Sequence, residues 1–193
     1  MLKHIVMAGL LALGGSAFAQ AVDQSGANNN PGGARLDTGT QKVGGTLNSA
    51  DRQFVEKVSG DNLAEIKMAK LALQKSQNPD VKNYAQMIID DHEKANQQLR
   101  TIAQDQNLAM NKQLSGEETA QYDRLSNLSG KQFDDAYMNM MVKEHTKDIQ
   151  KFQQAQSQLT NPQLQQYVQT TLPVLEKHKS HAQMDMKEMQ KNK

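Results

Sequence analysis

LALQKSQNPDVKNYAQMIIDDHEKA, Leu71 to Ala95, is the stretch that decides the fold. At its centre, Asn78-Pro79 is a helix start. Asparagine caps an N-terminus, and proline suits the first helical position because its missing N–H has no partner there anyway. Apolar residues leave this point at helical spacing: Val81, Tyr84, Ile88, then Ala95, Leu99 and Ile102. Helical spacing also leads up to it, through Phe54, Val58, Ala69 and Ala72. Two helices meeting at a tight turn make an antiparallel hairpin. His92 falls in the apolar series of the second helix, where an imidazole needs a reason.

The same punctuation recurs at Asn161-Pro162, an offset of 83 residues. With it go Val81 and Leu164, Tyr84 and Tyr167, and Glu65 and Asp148. The spacing predicts helices over about 51–77, 80–106, 131–159 and 163–190, with a shorter one over about 115–127 in the connection. From Asp51 onward good helix formers dominate and glycine is confined to Gly60, Gly116 and Gly130. Two hairpins and a long connection predict an all-α chain, an antiparallel four-helix bundle over 51–190. The connection either runs along the bundle, as in ferritin-like folds, or turns back. Pro173, inside the last helix, predicts a kink.

The N-terminus belongs to export rather than to the fold. MLKHIVMAGLLALGGSAFAQ has a basic start, an apolar run from Ile5 to Leu13 and Ala17-Phe18-Ala19, a small-x-small cleavage signal. This predicts a signal peptide over 1–19, cut after Ala19 or Ala21, and a periplasmic location. Residues 20–50 are rich in Gly, Asn, Ser and Thr and lack the apolar surface that would offset ordering entropy, so a disordered linker is expected. No later stretch approaches about 20 apolar residues, so no membrane span is expected in the mature chain. The absence of cysteine rules out disulfides, zinc–thiolate sites, thiol nucleophiles and a lipidated-cysteine anchor. Basic and acidic residues balance, 22 against 21, with the signs interspersed, which argues against nucleic acid as a partner. The protein partners are undefined, and a homo-oligomer is compatible with the pattern.

The helix midpoints carry the chemistry. Glu65 lies 13 residues before Asn78 and His92 lies 14 after it. His145 and Asp148 lie 16 and 13 before Asn161, and His178 lies 17 after it. At about 1.5 Å of rise per residue these stand within roughly one turn of each other. Glu65, His92, His145 and His178 therefore form a candidate metal site, one residue from each long helix, with Glu144, Asp148 and His181 as additional candidates. Imidazole plus carboxylate suits a single zinc, iron or copper ion. The competing reading is a satisfied core pair, Glu65 with His92. A pH response of buried imidazoles is a third. A softer cluster, HKSHAQMDMKEM with Met138, Met140 and Met141, has the thioether and imidazole donors of Cu(I) sites, but methionine at helical spacing is more often core filling. No phosphate loop, nucleophile elbow or Glu-x-x-His di-iron motif is present.

DRQFVEKVSGDNLAEIKMAKLALQKSQNPDVKNYAQMIIDDHEK, LSGKQFDDAYMNMMVKEH and YVQTTLPVLEKHKSHA carry a family pattern. Its marks are Glu65, Asp91-His92, Ser129-Gly130 with Phe133-Asp134 and Tyr137, His145 and His178. In these the chain resembles the exported bacterial family called domain of unknown function 4142, of the ferritin-like superfamily. The resemblance implies a ferritin-like bundle and brings no activity with it. The sequence thus points to an exported binding or stress-related protein, non-enzymatic, with a metal-binding protein and a metal-dependent oxidoreductase as the alternatives.

Overall fold

A computed structural model describes residues 46–191. The expected signal peptide over 1–19, and the expected linker as far as residue 45, lie outside the described residues. Five helices follow: α1 (Ser49–Lys75), α2 (Pro79–Asp105), α3 (Gly116–Ser126), α4 (Gly130–Gln158) and α5 (Pro162–Lys191). The offset of 83 holds to the residue at the hairpin turns: Lys75 and Gln158 end one arm, and Pro79 and Pro162 begin the next. Among the described residues there is no strand, and no helix is long and apolar enough to cross a membrane. α5 continues without interruption through Pro173.

Helix boundaries follow capping chemistry. Asn78 Oδ1 accepts from the Asp80 N–H at 2.9 Å, and Asn161 Oδ1 accepts from Gln163 and Leu164 at 3.0 and 3.1 Å. α1 begins two residues before the predicted start because Asn48 and Asp51 form a reciprocal capping box. Leu47, just before that cap, is buried.

Two apolar clusters fix the topology. One joins the end of α1 (Met68, Leu71), the start of α2 (Tyr84, Ile88), the start of α4 (Phe133, Met141) and Ala182 near the end of α5. The other joins the start of α1 (Phe54, Val58), the end of α2 (Leu99, Ile102), the end of α4 (Phe152) and the start of α5 (Leu164, Val168). α2 therefore ends at one end of the bundle and α4 starts at the other. The connection crosses the full length, with Leu108 and Met110 packed on the second cluster and Leu114, Tyr122 and Leu125 on the first. This is the long crossover of a ferritin-like bundle, and it makes every adjacent pair of long helices antiparallel.

Asp51 ties the far end together. Its carboxylate is fully buried and accepts from Asn48 N–H (3.0 Å), Thr160 N–H (3.0 Å), the Thr160 hydroxyl (3.0 Å) and Asn161 N–H (3.4 Å). One side chain thus caps α1 and holds the α4–α5 turn. Asp51→Ala removes the shared acceptor of four hydrogen bonds that join α1 to the α4–α5 turn, each contributing about 1 kcal/mol net. The expected loss is roughly 2–4 kcal/mol, read as a lowered denaturant midpoint with unchanged m-value.

Candidate metal centre at mid-bundle

Between the two apolar clusters lies a polar layer. α1 contributes Glu65, α2 His92, α4 His145 and α5 His178, and all four are buried, at 3, 3, 0 and 0 % exposure. The three imidazoles pack against one another, with ring centroids 5.7, 5.3 and 5.1 Å apart. One nitrogen from each lies within 4.8 Å of the other two. The four residues matched by height in the sequence are thus brought together.

Hydrogen bonds settle which nitrogen is which. His92 Nδ1 is 2.9 Å from Asn62 Oδ1, which can only accept, so Nδ1 carries the hydrogen. Asn62 is held in that orientation because its amide nitrogen donates to Asn96 Oδ1 and the Tyr167 hydroxyl. His145 Nδ1 donates to the Met141 carbonyl at 2.9 Å. His178 Nε2 donates to the Asp91 carboxylate at 2.8 Å. In a neutral ring the other nitrogen then bears a lone pair. Those lone pairs belong to His92 Nε2, His145 Nε2 and His178 Nδ1.

The lone pairs meet acceptors. His145 Nε2 and His178 Nδ1 are 3.1 Å apart. His92 Nε2 is 2.9 Å from Glu65 Oε2, yet neither these atoms nor Glu65 Oε1 has a partner in hydrogen-bonding alignment. Glu65 Oε1 lies 3.8 Å from His145 Nδ1. Two acceptor–acceptor contacts, both sealed from water, need positive charge. Either two extra protons supply it, one for each contact, or one cation does.

The titration behaviour reflects this competition. For Glu65, burial opposes ionisation, but His145, His92 and His178 together outweigh it and hold the carboxyl well below its ordinary range. Burial also opposes the charged form of His92, and the Glu65 carboxylate overrides it, raising its pKa. His145 and His178 go the other way. Burial lowers both, and His178 falls to about 4.

The additional candidates separate. Asp148 is buried beside the layer and accepts from Lys151 at 2.8 Å. Glu144 is half-buried, paired with Lys147 at 3.0 Å. Both line a cavity that also reaches Glu65. His181 stands apart, its ring against Tyr84 and its Nε2 3.6 Å from Asp185. Of the soft cluster, Met138 and Met141 are wholly buried core residues and Met184 is exposed. Asn62, Asp91 and the Met141 carbonyl, which orient the rings, were not among the residues singled out by spacing, although Asp91 stood in the family pattern. Asn62 lies one turn before Glu65 on the same face of α1, which was the available signal.

The fold is a four-helix bundle with a histidine-rich polar layer at its centre. The family profile described as Domain of unknown function (DUF4142) matches residues 38–184, and the chain belongs to that family. No curated protein matches it in sequence. Solved structures of similar fold include a DUF305 fragment from Deinococcus radiodurans (14 % identity, TM-score 0.68, 75 % of this chain and 99 % of that one). Another is a DUF305 protein from Streptomyces coelicolor, described as secreted (14 %, 0.61, 69 % and 90 %). A third is CopM in its Cu(I)-bound form (18 %, 0.61, 72 % and 96 %). At these identities the likeness is one of fold.

Asp148 yields a pH test on metal-free protein. Burial first, then the Glu65 charge, push its carboxyl up to about 7 against the pull of Lys151. The folded state therefore keeps a proton that the unfolded chain releases at the ordinary carboxylate pKa. Stability falls as pH rises through that window up to about 7. Asp148→Asn removes this loss. Relative to the parent, the variant should gain more than about 1 kcal/mol between pH 5 and pH 8, measured by urea denaturation at each pH.

Proposed function

We propose that the protein binds a single transition-metal ion through His92 Nε2, His145 Nε2, His178 Nδ1 and the Glu65 carboxylate. The observation that carries this reading is the fixed set of tautomers. Each ring's other nitrogen is committed to an acceptor, Asn62, Met141 or Asp91, which is the outer-shell arrangement that orients histidine ligands on metals. A cation placed among the four donors turns two acceptor–acceptor contacts into four metal–ligand bonds.

The donor set narrows the metal. Three imidazoles and a carboxylate, without thioether or thiolate, suit divalent zinc, copper or iron. CopM, of like fold, is known with Cu(I) bound, which supports a metal-binding use of this architecture. Four protein donors around one ion resemble a closed site, so a binding or storage role is favoured over catalysis. The signal peptide read over residues 1–19, together with the secreted neighbour in fold, supports export to the periplasm as the place of action.

Protein purified from periplasm without a histidine tag or chelator should hold close to one metal per chain by elemental analysis. Melting of the stripped protein should rise with added Zn(II), Cu(II) or Fe(II), by about 2.7 kcal/mol of stability at a hundredfold excess over the dissociation constant. His145→Gln should abolish both effects. If the histidines are only core pairs, the parent carries no metal, no ion moves its melting, and His92→Gln costs about 1–3 kcal/mol of stability with no further consequence.

A further inference from the structure

The proposed ligands are sealed inside the bundle, so an ion needs a defined path to them. A cavity of about 200 Å³ lies against Glu65, walled by α1, α3 and α4. Its lining grades from the exposed side chains Lys57, Glu117 and Lys147 to the buried carboxylates of Asp148 and Glu65. Six of its thirteen lining residues are carboxylates and three are lysines, so its field favours cations.

Two features make it a route. α3, the piece of the crossover that forms one wall, is eleven residues long and buries only Leu125, so little apolar contact holds it in place. At the inner end, the Lys151 ammonium bridges Asp61 of α1 and Asp148 of α4 beside Glu65. These carboxylates already hold one cation, the Lys151 ammonium, at the place an arriving ion would pass.

We propose that this cavity is the path by which a hydrated divalent metal ion reaches Glu65 and the three histidines, drawn in by the carboxylates at its mouth. This rests on the metal site proposed above. Electrostatic attraction at the mouth acts on the rate of association and is screened by salt. Glu117 is exposed and its side chain makes no capping bond, so reversing its charge costs α3 only the weak first-turn dipole interaction and leaves the four long helices untouched.

The test is stopped-flow uptake of Co(II) by stripped protein, followed by the ion's visible absorption. Glu117→Lys should slow uptake at least threefold at about 0.01 M ionic strength and much less at about 1 M, where the screening length shrinks roughly tenfold. The final stoichiometry should match the parent. Glu176→Lys, an equal reversal on α5, which contributes no wall to the cavity, should leave the rate within a factor of about two. Uptake by Glu117→Lys at the parental rate, or equal slowing by Glu176→Lys, overturns the route while leaving the metal site standing. A parent that takes up no Co(II), Zn(II) or Cu(II) overturns the site and the route with it.

Discussion

The structure turns on a proton count. Four buried groups from four helices face one another with more lone pairs than hydrogens, because Asn62, Met141 and Asp91 take up the hydrogen that each neutral imidazole has to give. A buried polar network is stable only when its members are satisfied, and low local polarity makes each deficit costly. Apolar residues would have filled this layer at less cost, as they do in the two clusters toward the ends of the bundle. The four-helix contact is therefore held by whatever positive charge completes it.

The rest of the fold serves to bring those groups to one height. Each hairpin turn is set by an Asn-Pro cap, and the two apolar clusters clamp the helices on either side of the polar layer. Asp51 fastens the two hairpins at one end. The offset of 83 shows what has diverged between the hairpins. Asn62 stands where the second hairpin has His145, and Glu65 where it has Asp148. His92 and His178 have Leu175 and Ala95 as counterparts. A near-symmetric scaffold thus carries an asymmetric polar layer, with the Asp148 carboxyl left beside it, bound to Lys151.

Much of this was legible in the residues. Helical periodicity and the two Asn-Pro starts fixed the helices to within about two residues, the largest difference being at α1, where the Asn48–Asp51 box starts the helix two residues early. Counting from the turns put Glu65, His92, His145 and His178 at one level, and the structure brings them together. The path of the connection was not legible, because a level match at the midpoints is the same for either topology; it needed Leu108, Met110, Leu114 and Leu125 placed along the bundle. Nor were the orienting partners. Asp91 is one residue from His92, hence about 100° around α2, and reads as a surface residue until α5 packs beside it and His178 reaches across. Asn62 shares the face of α1 that Val58 and Glu65 mark, but an amide there carries no apolar signal to set it apart, and a backbone carbonyl such as that of Met141 leaves no trace in composition.

The central claim is that one ion completes the polar layer. Its most direct test is a crystal structure of the native protein with anomalous data at the metal's absorption edge. The account predicts a single peak at about 2.0–2.2 Å from His92 Nε2, His145 Nε2, His178 Nδ1 and a Glu65 oxygen, with the bonds to Asn62, Met141 and Asp91 kept. A layer without a peak in protein soaked with Zn(II), Cu(II) and Fe(II), or a peak confined to surface groups such as His181, would contradict it.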